Sequence, residues 1–134
     1  MAPLPVPGGG AGSCATPATP PVTVQFGTVG GKSALTDGQG CALYLNNQDT
    51  PTASACDATC VAQWPPLVGP GTAGSGVDPA QLATFTREDG SVQVSYFGHQ
   101  LYRFKGDLNP GDANGQAQNQ QFFLVDATGQ PITQ

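Results

Sequence analysis

The chain has 134 residues, a formal net charge of -5, 19 glycines and 13 prolines. This length suits one domain with a hydrophobic core of its own. Only four lysines and arginines are present, which cannot neutralise a run of phosphates and therefore argues against nucleic acid and anionic membrane surfaces as partners. No stretch reaches the ~18 apolar residues that a membrane span needs, so we expect no transmembrane segment.

The N-terminal residues 1–21 differ in composition from the remainder. They are rich in Pro, Gly, Ala and Thr, which predicts an extended segment without a core. Residues 22–134 are predicted to form a single β domain.

Short β-rich segments recur along this domain, separated by Gly, Pro, Asn and Asp. Asp37-Gly38 and Asp89-Gly90 predict tight hairpin turns. The predicted strands are Val22–Phe26, Ser33–Thr36, Cys41–Leu45, Ala83–Arg87, Ser91–Tyr96, Leu101–Phe104 and Gln121–Val125.

Helical structure is predicted to be minor. Asp57–Gln63 is predicted to form one short helical turn that ends before Pro65. Asp78 followed by Pro79 predicts an N-cap with proline at the first helical position. Gly69–Gly76 is predicted to be a glycine-rich loop. The expected fold is all-β, with antiparallel hairpins and a meander forming a small sandwich or barrel, one or two short helical turns and two disulfides.

The four cysteines are Cys14, Cys41, Cys56 and Cys60. An even count in a small, lysine-poor chain indicates an oxidising compartment. Cys56 and Cys60 lie four residues apart, and in a helical turn their α-carbons fall within disulfide range. We therefore predict this pair, which leaves Cys14 with Cys41. A zinc site built from thiolates is the alternative.

One strand-and-turn pattern, here called a box, occurs twice, at residues 40–49 and 98–107. Alternate residues of a strand share a face, so Tyr102 and Phe104 are expected to fill the core while Asp107 caps the following turn. Alternatively, Tyr and Asp are binding residues. The positions that coincide are Gly40, Leu43, Tyr44 and Asp49 in the first box and Gly98, Leu101, Tyr102 and Asp107 in the second.

These boxes resemble the bacterial secreted-repeat or predicted-lipoprotein family, whose motif is Tyr-x-(Phe/Trp/Tyr)-x-x-Asp. The resemblance implies export to the bacterial cell envelope, in the periplasm or at the cell surface, and implies no settled activity. The first box departs from the motif, because Asn46 replaces the aromatic residue and Cys41 stands where the second box has His99. The matching segments are Cys56–Cys60, Trp64–Leu67, Asp89-Gly90, Gly98-His99, Tyr102–Asp107 and Gly111–Gly115.

A metal site is one functional hypothesis. The chain has a single histidine, whereas copper and zinc enzymes usually need two or three imidazoles or thiolates. The oxygen-rich segment 107–115 has donors that suit calcium, although its spacing is not that of an EF-hand loop and its residues are also common in turns. The candidate ligands for copper, zinc or calcium are His99, Tyr102, Asp107, Asn109 and Asp112.

The sequence favours a binding or structural module that docks to other cell-envelope proteins, including as a subunit of a surface complex, with no catalysis required. The second-box hairpin and the loop 107–115 are its predicted working surface. The alternative is a metal-binding surface protein with a redox or oxidative-stress role, such as superoxide dismutation.

Overall fold

The computed structural model describes residues 14, 20–50, 53–118 and 120–133. Strands dominate, as predicted, and no described helix has the length and hydropathy to cross a membrane. The strands are β1 (Val22–Val29), β2 (Lys32–Asp37), β3 (Tyr44–Asn46), β4 (Gly71–Ala73), β5 (Leu82–Thr86), β6 (Val92–Tyr96), β7 (His99–Gln100) and β8 (Phe122–Leu124), with helix α1 at Ala58–Val61 and a 3-10 turn at Pro79–Gln81.

The first sheet has the strand order β2-β1-β4. β1 and β2 form an antiparallel hairpin whose turn contains Gly30 and Gly31, both with positive φ (57° and 78°), a conformation that glycine adopts without steric cost. β4 pairs with the other side of β1 in parallel. The prediction of a loop over Gly69–Gly76 was therefore wrong for β4, because backbone bonding to β1 overrides the low β propensity of glycine.

The second sheet has the order β5-β6-β7 and is antiparallel. Asp89 and Gly90 form the β5–β6 turn as predicted: Gly90 has a φ of 88°, and the Asp89 carboxylate accepts from the Ser91 backbone N–H at 2.8 Å. The prediction of a strand over Leu101–Phe104 was wrong in its bounds, because β7 is His99–Gln100 and ends before Leu101. Tyr102 contributes isolated bridges to Tyr44 and Pro66.

The chain folds as two similar units, which we call the first repeat (residues 22–79) and the second repeat (residues 82–133). β1 and β2 of the first correspond to β5 and β6 of the second, and one box follows each hairpin. The two repeats exchange their final segments. β3 in the first box pairs with β8 of the second repeat, whereas Tyr102 in the second box bridges Pro66 of the first repeat. Each box is thus completed by the other repeat.

The centre of this exchange is the contact between Tyr44 and Tyr102. Each backbone N–H donates to the carbonyl of the other residue, at 2.8 Å and 2.9 Å. Beside them, Trp64 of the first repeat and Phe122 of the second stack with ring centroids 3.8 Å apart and planes inclined by 3°. Corresponding residues therefore meet across an approximate two-fold axis.

Two buried clusters form the core. One is mainly aliphatic and includes Val24, Leu35, Val94 and Leu101. The other is aromatic and contains Tyr44, Trp64, Tyr102 and Phe122, with Phe104 partly buried against it. The expectation that the box aromatics pack in the core is met by both Tyr102 and Phe104.

Both predicted disulfides are present. Cys14–Cys41 joins the N-terminal segment to the start of the first box, and Cys56–Cys60 joins the residue before the α1 N-cap to a residue within α1. Asp57 caps α1 by accepting from the Cys60 N–H at 3.0 Å, and Asp78 caps the 3-10 turn by accepting from Ala80 at 3.0 Å. Most of the predicted extended segment 1–21 lies outside the described residues.

Candidate functional site

The two boxes are joined by a pair of crossed hydrogen bonds. Tyr44 of the first box donates its hydroxyl hydrogen to Asp107 of the second at 2.6 Å. Tyr102 of the second box donates to Asp49 of the first, also at 2.6 Å. The backbone contact between the two tyrosines places each phenol within reach of the opposite carboxylate.

The pair Tyr44–Asp107 is the more deeply buried. Asp107 is 2% exposed, and its second oxygen accepts from the Asn114 N–H at 2.7 Å. The Tyr44 hydroxyl oxygen also accepts from the Gly115 N–H at 3.1 Å. Burial and the Asp107 carboxylate hold the pKa of Tyr44 far above its usual range, and burial also raises the pKa of Asp107. This arrangement fixes both ends of the loop 107–115.

The pair Tyr102–Asp49 lies nearer the surface. Asp49 also accepts from the Ala55 N–H at 2.6 Å and from the Asn46 side chain at 3.1 Å. Burial raises the pKa of Asp49, while burial and the bond to Asp49 raise the pKa of Tyr102 to about 12. The Tyr102 and Ser54 hydroxyl oxygens are 2.6 Å apart. A neutral phenol at this pKa serves as a fixed hydrogen-bond donor.

Arg87 joins this pair to the end of β5. Its guanidinium donates to Ser54 at 3.2 Å, to Gln93 at 2.7 Å and to the Cys56 carbonyl at 2.7 Å. Through these hydrogen bonds, Arg87 connects the β5–β6 hairpin with the loop that contains the Cys56–Cys60 disulfide. Neither Ser54 nor Arg87 can be recognised as a functional residue from the sequence, because both act through contacts between distant segments.

The structure places two of the five candidate metal ligands, Tyr102 and Asp107, in different crossed pairs, and a third, His99, near Asp49. Tyr102 donates a hydrogen bond to Asp49. His99 is half-buried, and this burial lowers its pKa, while the negative charge of Asp49 partly offsets the decrease. Asp107 belongs to the Tyr44 pair. Among the described residues, no group of three or more His, Cys, Asp or Glu side chains is placed to hold a metal ion.

The remaining two candidates lie in the loop 107–115. Asp112 accepts from the backbone N–H groups of Leu108 and Asn109 at 3.2 Å and 3.1 Å. Its carboxylate therefore has the turn-forming role that Asp commonly takes. Asn109 is exposed on the same turn.

Strand β5 has an outer edge with no paired strand among the described residues. Arg87 N–H donates to the Ser91 carbonyl at 2.8 Å, and Phe97 N–H donates to the Gln81 carbonyl at 3.1 Å. Backbone groups alternate in direction along an antiparallel strand. Those of residues 83 and 85 therefore point to β6, whereas those of Leu82, Thr84 and Thr86 point away from the sheet.

The corresponding edge of the first repeat is covered. Val24 and Phe26 of β1 occupy the same places as Leu82 and Thr84 of β5. The Val24 carbonyl accepts from the Gly74 N–H at 2.7 Å, and the Phe26 N–H donates to the Ser75 carbonyl at 2.9 Å. The chain that continues from the first repeat thus completes the β1 edge through β4 and the residues after it.

The second repeat continues differently after β8. The chain reverses in a turn in which the Asp126 N–H donates to the Gln130 carbonyl at 2.9 Å, and the Ile132 N–H then returns to the Leu124 carbonyl at 2.8 Å. This segment pairs with β8, so it leaves β5 uncovered. The two repeats therefore differ at the edge of their outer hairpin strand.

The open edge of β5 is accessible. Ala83, Thr84 and Thr86 are exposed. On the inner face of β5, a Cβ on Gly69 would lie 2.9 Å from a Val94 methyl carbon and 3.6 Å from that of Thr84. Inner-face packing fixes β5 in place while its outward backbone groups remain at the surface.

No significant match to this chain was found among curated proteins or among solved structures. The family comparison concerns the second repeat, which carries the complete motif at Tyr102, Phe104 and Asp107. Residues 83–121 match the family model described as a secreted repeat of unknown function, the family that the resemblance indicated, and this match indicates an exported protein.

Proposed function

We propose that the protein is an exported docking module of the bacterial cell envelope, and that β5 receives an extended segment of another envelope polypeptide. The observation that carries this proposal is the difference between the two repeats. The β1 edge is paired with β4, whereas the equivalent β5 edge has no strand among the described residues.

The composition of β5 supports this function. Proteins commonly protect an exposed strand edge with lysine, proline or another charged residue, because an open edge pairs with other chains. Leu82–Thr86 contains no charged residue and no proline. Such an edge suits β-strand addition, in which main-chain hydrogen bonds provide affinity and side-chain contacts provide specificity.

The rigidity of the edge also supports docking. β5 is held by its full ladder to β6, and Arg87 at its end is tied to the Cys56 carbonyl at 2.7 Å. A strand fixed in advance loses little conformational freedom when a partner binds. The loop 107–115, the predicted working surface, is less suited to binding a partner, because its two aspartates accept hydrogen bonds from within the protein.

The experiment is site-specific photo-crosslinking in the envelope fraction. A benzophenone amino acid placed at exposed Ala83 on β5 is compared with one at exposed Ala62 beside α1. We expect a discrete crosslinked partner from position 83 and none from position 62. The same crosslink is then measured in the Thr84→Pro variant, which removes an outward N–H and leaves every bond to β6 intact.

Thr84→Val is the matched control, since it keeps the N–H and the β-branched shape. We expect Thr84→Pro to lower the yield of the crosslink at least about tenfold, because the variant loses one or two hydrogen bonds to the partner. Thr84→Val should retain the wild-type yield. Thermal unfolding verifies that both variants fold. Equal crosslinking from positions 83 and 62, or a crosslink that Thr84→Pro does not change, contradicts the proposal.

A further inference from the structure

The segment that covers β1 has a close copy elsewhere in the chain. Gly71-Thr72-Ala73-Gly74-Ser75 contains β4, and Gly9-Gly10-Ala11-Gly12-Ser13 repeats it at four of five positions. Both have the pattern Gly-x-Ala-Gly-Ser. Residues 9–13 lie outside the described part of the structure.

Two glycines of this pattern lie close to neighbouring side chains in the covering segment. A Cβ on Gly74 would lie 2.9 Å from the Gln25 Cβ, and one on Gly71 would lie 3.2 Å from a Val94 methyl carbon. A side chain at Gly74 would require a displacement of Gln25, and one at Gly71 would make a tight contact with Val94. The segment 9–13 also has glycine at the first and fourth positions.

We propose that the segment received by β5 is Gly9–Ser13 of a second copy of this chain, paired in parallel as β4 pairs with β1. This inference rests on the docking function of β5 proposed above. By correspondence with the β1 edge, the Gly12 N–H donates to the Leu82 carbonyl, and the Thr84 N–H donates to the Ser13 carbonyl. The two copies associate through main-chain bonds at an otherwise open edge.

The contacts of Cys14 place this pairing between copies. Cys14 is bonded to Cys41, its N–H donates to the Leu108 carbonyl at 3.2 Å, and its carbonyl accepts from Arg103 at 2.7 Å. Adjacent α-carbons are about 3.8 Å apart, so a Ser13 paired with Thr84 would bring its own Cys14 beside β5. In the structure the contacts of Cys14 lie at the boxes instead, and the segment must therefore come from another copy.

The test is sedimentation velocity of the oxidised full-length protein from micromolar to millimolar concentration. We expect reversible association that weakens at least about tenfold in Thr84→Pro and in Gly12→Pro, because each variant removes one of the two donors. Gly10→Thr is the matched control, since it gives residues 9–13 the sequence of Gly71–Ser75, and we expect it to associate at least as tightly as the wild type.

Two results overturn the inference: a wild-type protein that remains monomeric throughout, or a Gly12→Pro variant that associates as the wild type does. The crosslinking experiment separates this inference from the docking function. If Thr84→Pro abolishes a crosslink from β5 that Gly12→Pro leaves unchanged, β5 docks a different polypeptide and the second copy is the wrong partner. If Thr84→Pro changes neither measurement, both proposals are wrong.

Discussion

Tyr44 donates a 2.6 Å hydrogen bond to Asp107, a residue 63 positions later in the chain, and the pair is buried. The reciprocal bond from Tyr102 to Asp49 spans 53 positions. A motif that looks local in the sequence therefore acts across the repeats, since each tyrosine hydroxyl donates to the aspartate of the other box. Neither repeat keeps its own box intact when the other unfolds, which predicts cooperative unfolding of both.

The Tyr44 hydroxyl should contribute more to stability than the Tyr102 hydroxyl. Tyr44→Phe leaves the buried Asp107 oxygen and the Gly115 N–H without their partner, at a cost of about 1–3 kcal/mol. Tyr102→Phe should cost less, because Asp49 is less buried and its other carboxylate oxygen retains the Ala55 and Asn46 donors. Denaturant unfolding with intact disulfides measures both values. Equal costs for the two variants would contradict this ranking.

The two buried carboxyls should make stability fall as pH rises from mildly acidic values. Burial raises the pKa of Asp49 and of Asp107, so above about pH 4 the folded state binds protons that the unfolded state has released. The stability associated with these protons is lost as pH rises through the raised folded-state pKa. The pKa of His99 is lowered by burial, so its contribution has the opposite sign and falls away below about pH 6.5.

Comparison of variants isolates the carboxyl contribution. In a His99→Gln background, we expect the free energy of unfolding to increase as pH falls from 7 towards 4, and Asp107→Asn should flatten this dependence. The measurement is urea unfolding at a series of pH values. An unchanged slope after Asp107→Asn would show that Asp107 is not a source of the pH dependence.

Both a smaller and a larger side chain at the aromatic stack between the repeats should lower the stability of the protein. Phe122→Ala removes the ring that stacks on Trp64 at 3.8 Å and should cost about 3–5 kcal/mol. Gly115→Ala should also destabilise, by about 1–3 kcal/mol, because its Cβ would lie 2.6 Å from a Trp64 ring carbon. The single tryptophan reports both unfolding transitions by fluorescence. As a control, Gly90→Asn leaves the stack alone and should cost far less, since nothing lies within 4 Å of a Cβ there.

The two disulfides should differ in their contribution to stability. Cys14–Cys41 closes a separation of 27 residues and Cys56–Cys60 one of 4. The chain-entropy relation gives about 3.5 kcal/mol for the longer loop and about 2 kcal/mol for the shorter. Paired alanine variants of each disulfide, compared by denaturant unfolding, test this order. If removing Cys56–Cys60 lowered the free energy of unfolding more, the hydrogen bond between Arg87 and the Cys56 carbonyl would outweigh the effect of loop length.

Local features of the fold could be predicted from the sequence. The Asp89-Gly90 turn, the Asp78 cap and the Cys56–Cys60 disulfide all depend on residues close together in the chain, where turn and cap preferences apply directly. The repeated box also indicated the family whose model matches residues 83–121. In each case the relevant interactions lie within a few residues.

Relationships between distant segments could not be predicted in the same way. The repeated Tyr and Asp positions are compatible with a bond inside each box or between boxes, and only the contact of Tyr44 with Tyr102 decides between them. Likewise, glycine-rich Gly71–Ala73 forms a strand only because β1 offers an unpaired edge. The open β5 edge could not be predicted from the sequence. An edge is open only where no strand pairs with it, and the described part of the second repeat has no strand paired with this side of β5.

The most direct test of the docking account is residue-resolved hydrogen exchange along β5 by NMR. In dilute protein, the Thr84 and Thr86 amides should exchange rapidly, whereas those of Ala83 and Phe85, which face β6, should be protected. At high protein concentration or with the crosslinked partner added, the account predicts that Thr84 becomes protected while Phe85 is unchanged. Protection of Thr84 already in dilute protein, or no added protection in the complex, would contradict it.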